Sequence, residues 1–412
     1  TSVCTRLGPK SIEDITAVIA LYRPGPMDSI PRFIENSQHP EKIRYRHPSL
    51  EPILSVTYGC IVYQEQVIEI FRRLAGFSLG QADNIRRAMS KKKHDVIDAE
   101  RKAFVDGDAA RNIPGCVAGG IARETAEAIY DEILDFASYA FNKAHAVAYA
   151  IVAYRTAYMK RHYPREYMAA LLTSVLDSSS KVAEYIAECR EMRINLLPPD
   201  VNESDAYFTI SGKNIRFGLV AIKNIGEKFI LQLMDERREN GPFKSLEDFC
   251  RRMSGKELNR RAVESLIKSG ALDSLGLKRR AMLQMLDMIL ESIAADGRGN
   301  IAGQYDLFGI EEGDPDEATL VPVPDVEEFD RRELMAMEKE MTGLYLSGHP
   351  MDEYRDAARH AGAVPIGPIL DDFANEAGPQ EYMDGQHVTL AGVVESSRTR
   401  TTKNGTLMAY IQ

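Results

Sequence analysis

Ile222-Lys223-Asn224-Ile225-Gly226-Glu227-Lys228 opens a helical tract that runs from Ala221 to about Ile293. The stretch has the form of a helix-hairpin-helix turn, in which glycine lets a ligand approach the backbone closely. Lys223 and Lys228 flank Gly226. A second candidate turn runs from Leu258 through Ser269-Gly270-Ala271 to Arg280, with Arg260-Arg261 and Lys278-Arg279-Arg280 around it. Two such turns in tandem, with this charge, point to sequence-independent contact with a phosphate backbone. The alternative is an ordinary pair of α-hairpins.

Upstream, residues 201–219 read as extended, with a turn at Gly212-Lys213-Asn214. Residues 1–175 read as mostly helical, with apolar spacing of helical period over 62–74 and 121–134. Residues 144–159 are rich in alanine and aromatics and read as a buried helix. Ser178-Ser179-Ser180 offers an N-cap for a helix over 182–192. Downstream, 296–303 reads as a polar linker and 311–326 as an acidic, mobile connection. A helix is expected over 329–341. Residues 388–394 and 407–411 read as two strands joined through Lys403-Asn404-Gly405.

At 412 residues the chain exceeds a single core, so several domains are expected. No apolar run reaches membrane-spanning length, and no signal peptide is present. The five cysteines are far apart and form no CxxC pair, which reads as reduced thiols, not a disulfide frame or zinc site. The chain starts at Thr1 and stops in a strand-like run, as expected of a piece of a larger protein. The net charge of −10 hides an asymmetry. Residues 304–390 carry 21 Asp+Glu against 5 Lys+Arg, a net of −16, so the remainder carries −10 + 16 = +6. Acid is concentrated late, and the basic clusters elsewhere remain compatible with contact to nucleic acid.

Arg86-Arg87-Ala88-Met89-Ser90-Lys91-Lys92-Lys93 places five cations in eight residues. On a helix, Arg86 and Arg87 point about 100° apart and so reach different phosphate oxygens. Lys91, Lys92 and Lys93 add less directional charge. The alternative is a solvated basic face. Tyr139-Ala140-Phe141-Asn142-Lys143-Ala144-His145 leads into the alanine-rich helix. Its Asn, Lys and His suit an anion at a helix start, and Tyr139 or Phe141 suits stacking on a base. A helix cap with core aromatics fits equally. Tyr63-Gln64-Glu65-Gln66 reads as the surface of an amphipathic helix. Gln304-Tyr305-Asp306-Leu307-Phe308 pairs a polar hook with two apolar anchors of the kind that dominate binding. No HExxH, Walker A, GxSxG or GxGxxG pattern is present. Asp371-Asp372 lies on a loop or helix start and is poorly placed to hold a pair of metal ions.

Together these pieces resemble the alpha subunit family of bacterial DNA polymerase III, the C-family replicative polymerases. The resemblance is carried by residues 20–27 (ALYRPGPM), 57–66 (TYGCIVYQEQ), 79–93, 141–146 (FNKAHA) and 342–350 (TGLYLSGHP). It implies a mostly α, multidomain chain. Residues 1–200 would be a helical fingers domain, and 201–310 a tandem helix-hairpin-helix domain binding DNA and clamp. Residues 311–386 would be an acidic linker and helical connection, and 387–412 the start of an OB-fold barrel. It implies nucleotide binding by Arg86, Arg87, Tyr139, Asn142 and His145. DNA binding falls to Lys91, Lys92, Lys93, Lys223, Gly226, Lys228, Arg260, Arg261 and Gly270. Clamp binding falls to Gln304, Leu307 and Phe308. The implied partners are template-primer DNA, dNTP, the beta sliding clamp and other replicase subunits, in the cytoplasm at the nucleoid and with no membrane. Mg²⁺ would be held by palm carboxylates upstream, with no metal or catalytic residue in this stretch, so the chain alone is expected not to extend a primer. An error-prone paralogue and a non-enzymatic clamp-tethered scaffold are the competing readings. Ala144 stands where the family usually has serine, Ser90 where it has glycine, and Tyr305 departs from the commonest clamp peptide.

Overall fold

The computed structural model describes residues 2–23, 26–91, 94–137, 141–176, 178–299, 321–374, 378–394, 397–401 and 407–411. Helices dominate, and the chain forms two compact units, Thr1–Tyr158 and Met159–Gln412.

The first unit is built around helix Gln64–Ala75, whose two ends serve two apolar cores. Tyr63, at its start, belongs with Phe33, Val62 and Ala146. Ile70, Phe71 and Leu74 belong with Phe104, Tyr130 and Ile133. Phe71 is the hub of the second core, with the rings of Phe77, Phe104 and Tyr130 at 5.0, 4.9 and 5.9 Å. Gly76 ends the helix at φ +75, and a Cβ there would lie 2.7 Å from the Pro114 ring. Helix Arg123–Ala137 answers the other periodic run.

Helix Lys143–His162 forms where expected, but it is not buried. Only Ala146 and Ala150 are buried, while Tyr149, Val152 and Tyr154 are 57%, 58% and 53% exposed. Alanines four apart lie on one stripe of the helix, and that narrow stripe alone meets the core. The apolar residues around the rest of the circumference carry no information about which face packs.

The second unit opens with helices Pro164–Ser174 and Ser179–Glu191. Ser178 takes the N-cap position, but its hydroxyl bonds Ser180 Oγ at 3.3 Å and caps no backbone N–H. Strands Thr209–Ser211 and Asn214–Arg216 pair antiparallel across the expected Gly212 turn. A third short strand, Leu196–Leu197, adds in parallel. Helices Glu227–Asn240, Leu246–Met253, Arg260–Lys268, Arg279–Gly299 and Arg331–Thr342 follow. Their inward faces, among them Phe229, Leu233, Phe249, Leu266 and Leu286, make one core with Phe208 and Phe217.

Two linker expectations change. Residues 296–299 continue the helix Arg279–Gly299 instead of beginning a linker. The end of the acidic stretch is docked: Lys278 Nζ donates to Val326 O at 3.0 Å. The Glu328 carboxylate accepts the N–H groups of Arg279 and Arg280 at 2.7 and 3.1 Å. An anion at a helix N-terminus is favourable, so this acidic residue serves as an anchor. At the C-terminus, Leu407–Ile411 pairs with Ser397–Thr401, not with 388–394. Residues 388–394 contribute only a bridge from Thr389 to Ala363. All five residues of Ser397–Thr401 are exposed, so no hydrophobic alternation marked this strand. Among the described residues the strands form two open sheets, and no barrel closes.

Glu236 braces two of the helices. Its carboxylate is bonded by Lys256 Nζ, by Arg252 Nε at 3.1 Å and by Asn240 Nδ2 at 2.7 Å. The Lys256 ammonium chiefly, with Asn240 and Arg252, outweighs burial and holds the carboxyl at about 2 against an ordinary 4.5. A depressed carboxylate stabilises the fold above its unfolded pKa and loses that contribution as pH falls through its folded one. The melting temperature should therefore fall as pH drops from about 4.5 towards about 2. Glu236→Gln should flatten that part of the profile; an unchanged pH dependence of melting would show that the brace contributes nothing.

Candidate nucleotide and nucleic-acid interface

Helix Leu79–Ser90 is held to the core by Ala82, Ile85 and Ala88, which leaves Arg86 and Arg87 outward. The two guanidiniums do not reach apart. Both turn back along the helix to one carboxylate, Arg86 Nε to Asp83 Oδ1 at 2.7 Å and Arg87 Nε to Asp83 Oδ2 at 2.8 Å. Residues three and four apart share a helix face, which overrides the 100° between neighbours. Hydrogen bonding from Arg86 first, and from Arg87, pulls the Asp83 carboxyl below its ordinary value. Two forked donors are thus presented together, both bonded to the Asp83 carboxylate. Lys91 is exposed beyond them. Lys92 and Lys93 lie outside the described residues.

Asn142 and His145 come together on the first turn of helix Lys143–His162. Asn142 Oδ1 caps the helix by accepting His145 N at 3.0 Å. The Glu65 carboxylate accepts Asn142 Nδ2 at 3.0 Å and Lys143 N at 3.0 and 3.1 Å. This helix start, which suited an external anion in the sequence, therefore already has an internal one. Lys143 Nζ pairs with Glu13 at 3.0 Å. Phe141, His145 and Tyr149 form a ladder of rings 5.5 and 4.7 Å apart, with Arg23 4.2 Å over Phe141. Tyr139 lies outside the described residues.

Tyr63-Gln64-Glu65-Gln66 is not a surface turn. Tyr63, Gln64 and Gln66 are buried. Gln66 Oε1 accepts Val62 N and Tyr63 N at 2.9 and 3.0 Å, and its Nε2 donates to Thr57 Oγ1 at 2.7 Å. Buried backbone N–H groups entering a helix need partners, and this amide supplies them. The glutamine three residues after the N-cap was the available signal. Nothing in the sequence singled out Asp83 or Glu65, because each acts through a distant or already explained neighbour.

In the second unit the first hairpin turn is formed as expected, with its roles redistributed. Asn224, at φ +64, adopts the left-handed conformation. Gly226 is the extended N-cap of helix Glu227–Asn240, and a Cβ there would meet nothing within 4 Å, so the approach is open from outside. Lys223 is exposed, and Lys228 pairs with Glu257. The second candidate turn is more enclosed. Gly270 is buried at φ +83, and a Cβ there would sit 2.4 Å from Arg279 Nη2. Its glycine makes room for a buried arginine, not for an external ligand. The open turn before helix Arg260–Lys268 contains Gly255, at φ +79 with free space around it, and ends on the Asn259 N-cap. Arg260 is bonded to Asp287 and Glu264 at 2.6 and 2.7 Å. Arg261 is exposed, and neither it nor Lys223 has an ion pair among the described residues. Asn224 bonds Ser265 Oγ at 3.3 Å, and Asn224, Arg260, Arg261 and Lys268 line one cleft.

Gln304, Leu307 and Phe308 lie outside the described residues. Among the described residues no group of three or more His, Cys, Asp and Glu is placed to hold a metal ion. None of the described helices is long and apolar enough to cross a membrane.

Residues 1–112 match the bacterial DNA polymerase III alpha subunit finger domain, and residues 193–282 match a helix-hairpin-helix motif. The chain is 38% identical over 408 residues to the DNA polymerase III subunit alpha of Treponema pallidum, covering 99% of this chain and 33% of the relative. It is 40% identical over 419 residues to that of Mycobacterium tuberculosis, covering 99% and 34%. It is 40% identical over 413 residues to that of Bacillus subtilis, covering 100% and 34%. The chain spans about a third of the length of the curated relatives it matches.

Proposed function

We propose, given that the chain belongs to the family of bacterial DNA polymerase III alpha subunits, that the whole protein is a DNA-directed DNA polymerase acting in the cytoplasm at the nucleoid. Residues 1–200 act as fingers that receive dNTP. Residues 201–310 hold duplex DNA and reach the sliding clamp through Gln304, Leu307 and Phe308. Residues 311–386 connect to an OB-fold that begins at 387. In nucleotidyl transfer the primer 3′-hydroxyl attacks the α-phosphorus and pyrophosphate leaves. Charge grows on the leaving group, so cationic forks fixed in advance lower the barrier. The Arg86–Arg87 pair organised on Asp83 is the observation that carries this reading. An incoming triphosphate exchanges with Asp83 for the same donors. Asn142 and His145, with the adjoining ring ladder, border the nucleotide. The described residues do not fit the implied Mg²⁺.

Primer extension by the full-length protein tests the reading. A labelled primer should lengthen only with a complementary template and matching dNTPs. Absence of extension by folded full-length protein would refute it.

The duplex contact is tested on the 412-residue chain. Affinity should fall steeply with salt and show no sequence preference, because phosphate neutralisation releases counterions. Replacing Lys223 and Arg261 with glutamine should reduce the slope of log K against log salt by about 2, roughly one per lost phosphate contact. A slope that stays the same would return the hairpins to a purely structural role.

A further inference from the structure

Residues 342–350 are strongly marked in sequence, and neither the nucleotide nor the hairpin reading uses them. Their loop is held with unusual firmness. Helix Arg331–Thr342 ends at Gly343, φ +78. From its last turns the buried Glu338 accepts Leu346 N, Ser347 N and Ser347 Oγ at 3.0, 2.9 and 2.9 Å. The other Glu338 oxygen takes Arg279 Nη2 at 3.2 Å, and Arg279 is also tied to Asp273 at 2.7 Å. A buried ion pair contributes little net stability, and its best-attested use is to fix one conformation. Asp352 locks the next turn by accepting His349 N at 2.8 Å and Arg355 Nη2 at 2.7 Å.

The loop so fixed forms one wall of a cleft of about 480 Å³ against helix Ser179–Glu191. Ile186, Leu344 and Leu346 give it apolar lining. Arg190, Lys339 and Arg355 bring three cationic side chains against one carboxylate, Asp352, which Arg355 already bonds. Tyr345 stands among them half-buried, with Lys339 Nζ 4.6 Å from its ring centre and the His349 ring 5.4 Å away. Arg190 has no ion pair among the described residues.

We propose that this cleft binds a nucleotide unit of a single nucleic-acid strand, with its phosphate on the cationic side chains and its base against Tyr345 and His349. A groove that combines cations with aromatic faces suits a strand whose bases are unpaired. An acidic peptide would use the cations but not the two rings. The site lies in the second unit and does not depend on the reading of Arg86 and Arg87.

The test is photo-crosslinking of a short bromodeoxyuridine oligonucleotide to the 412-residue chain, mapped by peptide mass spectrometry. A crosslink on the peptide containing Tyr345 and His349 is expected. Arg190→Gln should lower its yield about tenfold, the worth of one charge-assisted phosphate contact, with crosslinks to other peptides unchanged. The Arg190 side chain has no hydrogen bond or ion pair among the described residues, so the variant should melt like the parent. Tyr345→Leu should remove the crosslink while Arg190→Lys retains most of it. An unlabelled oligonucleotide should compete, and dTTP or polyglutamate at equal charge should not. The proposal is overturned by no crosslink at this peptide, by an unchanged yield in Arg190→Gln, or by equal competition from dTTP or polyglutamate.

Discussion

Replacing Leu307 and Phe308 with alanine in the full-length protein is expected to weaken sliding-clamp binding by two to four orders of magnitude. Each anchor, if fully buried in a partner pocket, contributes roughly 1.5–3 kcal/mol. The pair therefore contributes roughly 3–6 kcal/mol, where about 1.4 kcal/mol is tenfold in affinity. The basis is the sequence alone: a polar hook at Gln304, then two adjacent apolar residues followed by Glu311-Glu312 and further acid. The linkers on both sides are polar, and the pair has no obvious intramolecular partner in sequence. Tethering through this segment would raise the local concentration of primer end at the active site of the whole protein. Short-primer extension without clamp should accordingly remain near the parent level in the double variant. Calorimetric titration with clamp is the measurement. Equal affinities, or a variant with a lowered melting temperature, would place the two side chains in the protein's own core.

The architecture was largely legible because periodicity and turn residues act locally. The helices over 64–75, 123–137 and 227–240 and the hairpin at Gly212 all rest on short-range signals. What depended on partners far along the chain was not legible. Helix Lys143–His162 has alanine and aromatics on all sides, so its sequence could not say that only the Ala146–Ala150 stripe would be buried. Gly270 carries the signature of an open turn, yet Arg279, nine residues on, fills the space beside it. The ribbon strand Ser397–Thr401 alternates serine, arginine and threonine over no core, so hydrophobicity pointed to its neighbour instead.

The candidate site divides in the same way. Its cations were visible as a run of charge. Its organising carboxylates were not. Glu65 lies 77 residues from Asn142 and 78 from Lys143, whose N–H groups it holds. Asp83 sits beside the arginines in sequence, but a charge run draws attention to the majority sign. Gln66 looked like a solvated position, and it satisfies buried backbone N–H groups instead.

Arg86 and Arg87 are proposed to receive the triphosphate of the incoming nucleotide. Single-turnover incorporation of one dNTP by the full-length protein, with each arginine replaced by alanine and with both replaced, tests it most directly. Removing one preorganised donor from a charge-developing site costs about 10²–10³ in rate. Each single variant should fall by roughly that factor, and the double variant further, though by less than the product because residues acting as a unit are not additive. Asp83→Asn should cost much less, since Asp83 gives way when the triphosphate arrives. Melting temperatures should stay near the parent value, because both guanidiniums stand outside the core. Parent-like single-turnover rates in Arg86→Ala, Arg87→Ala and the double variant would contradict the account and leave the pair as a solvated face tied to Asp83.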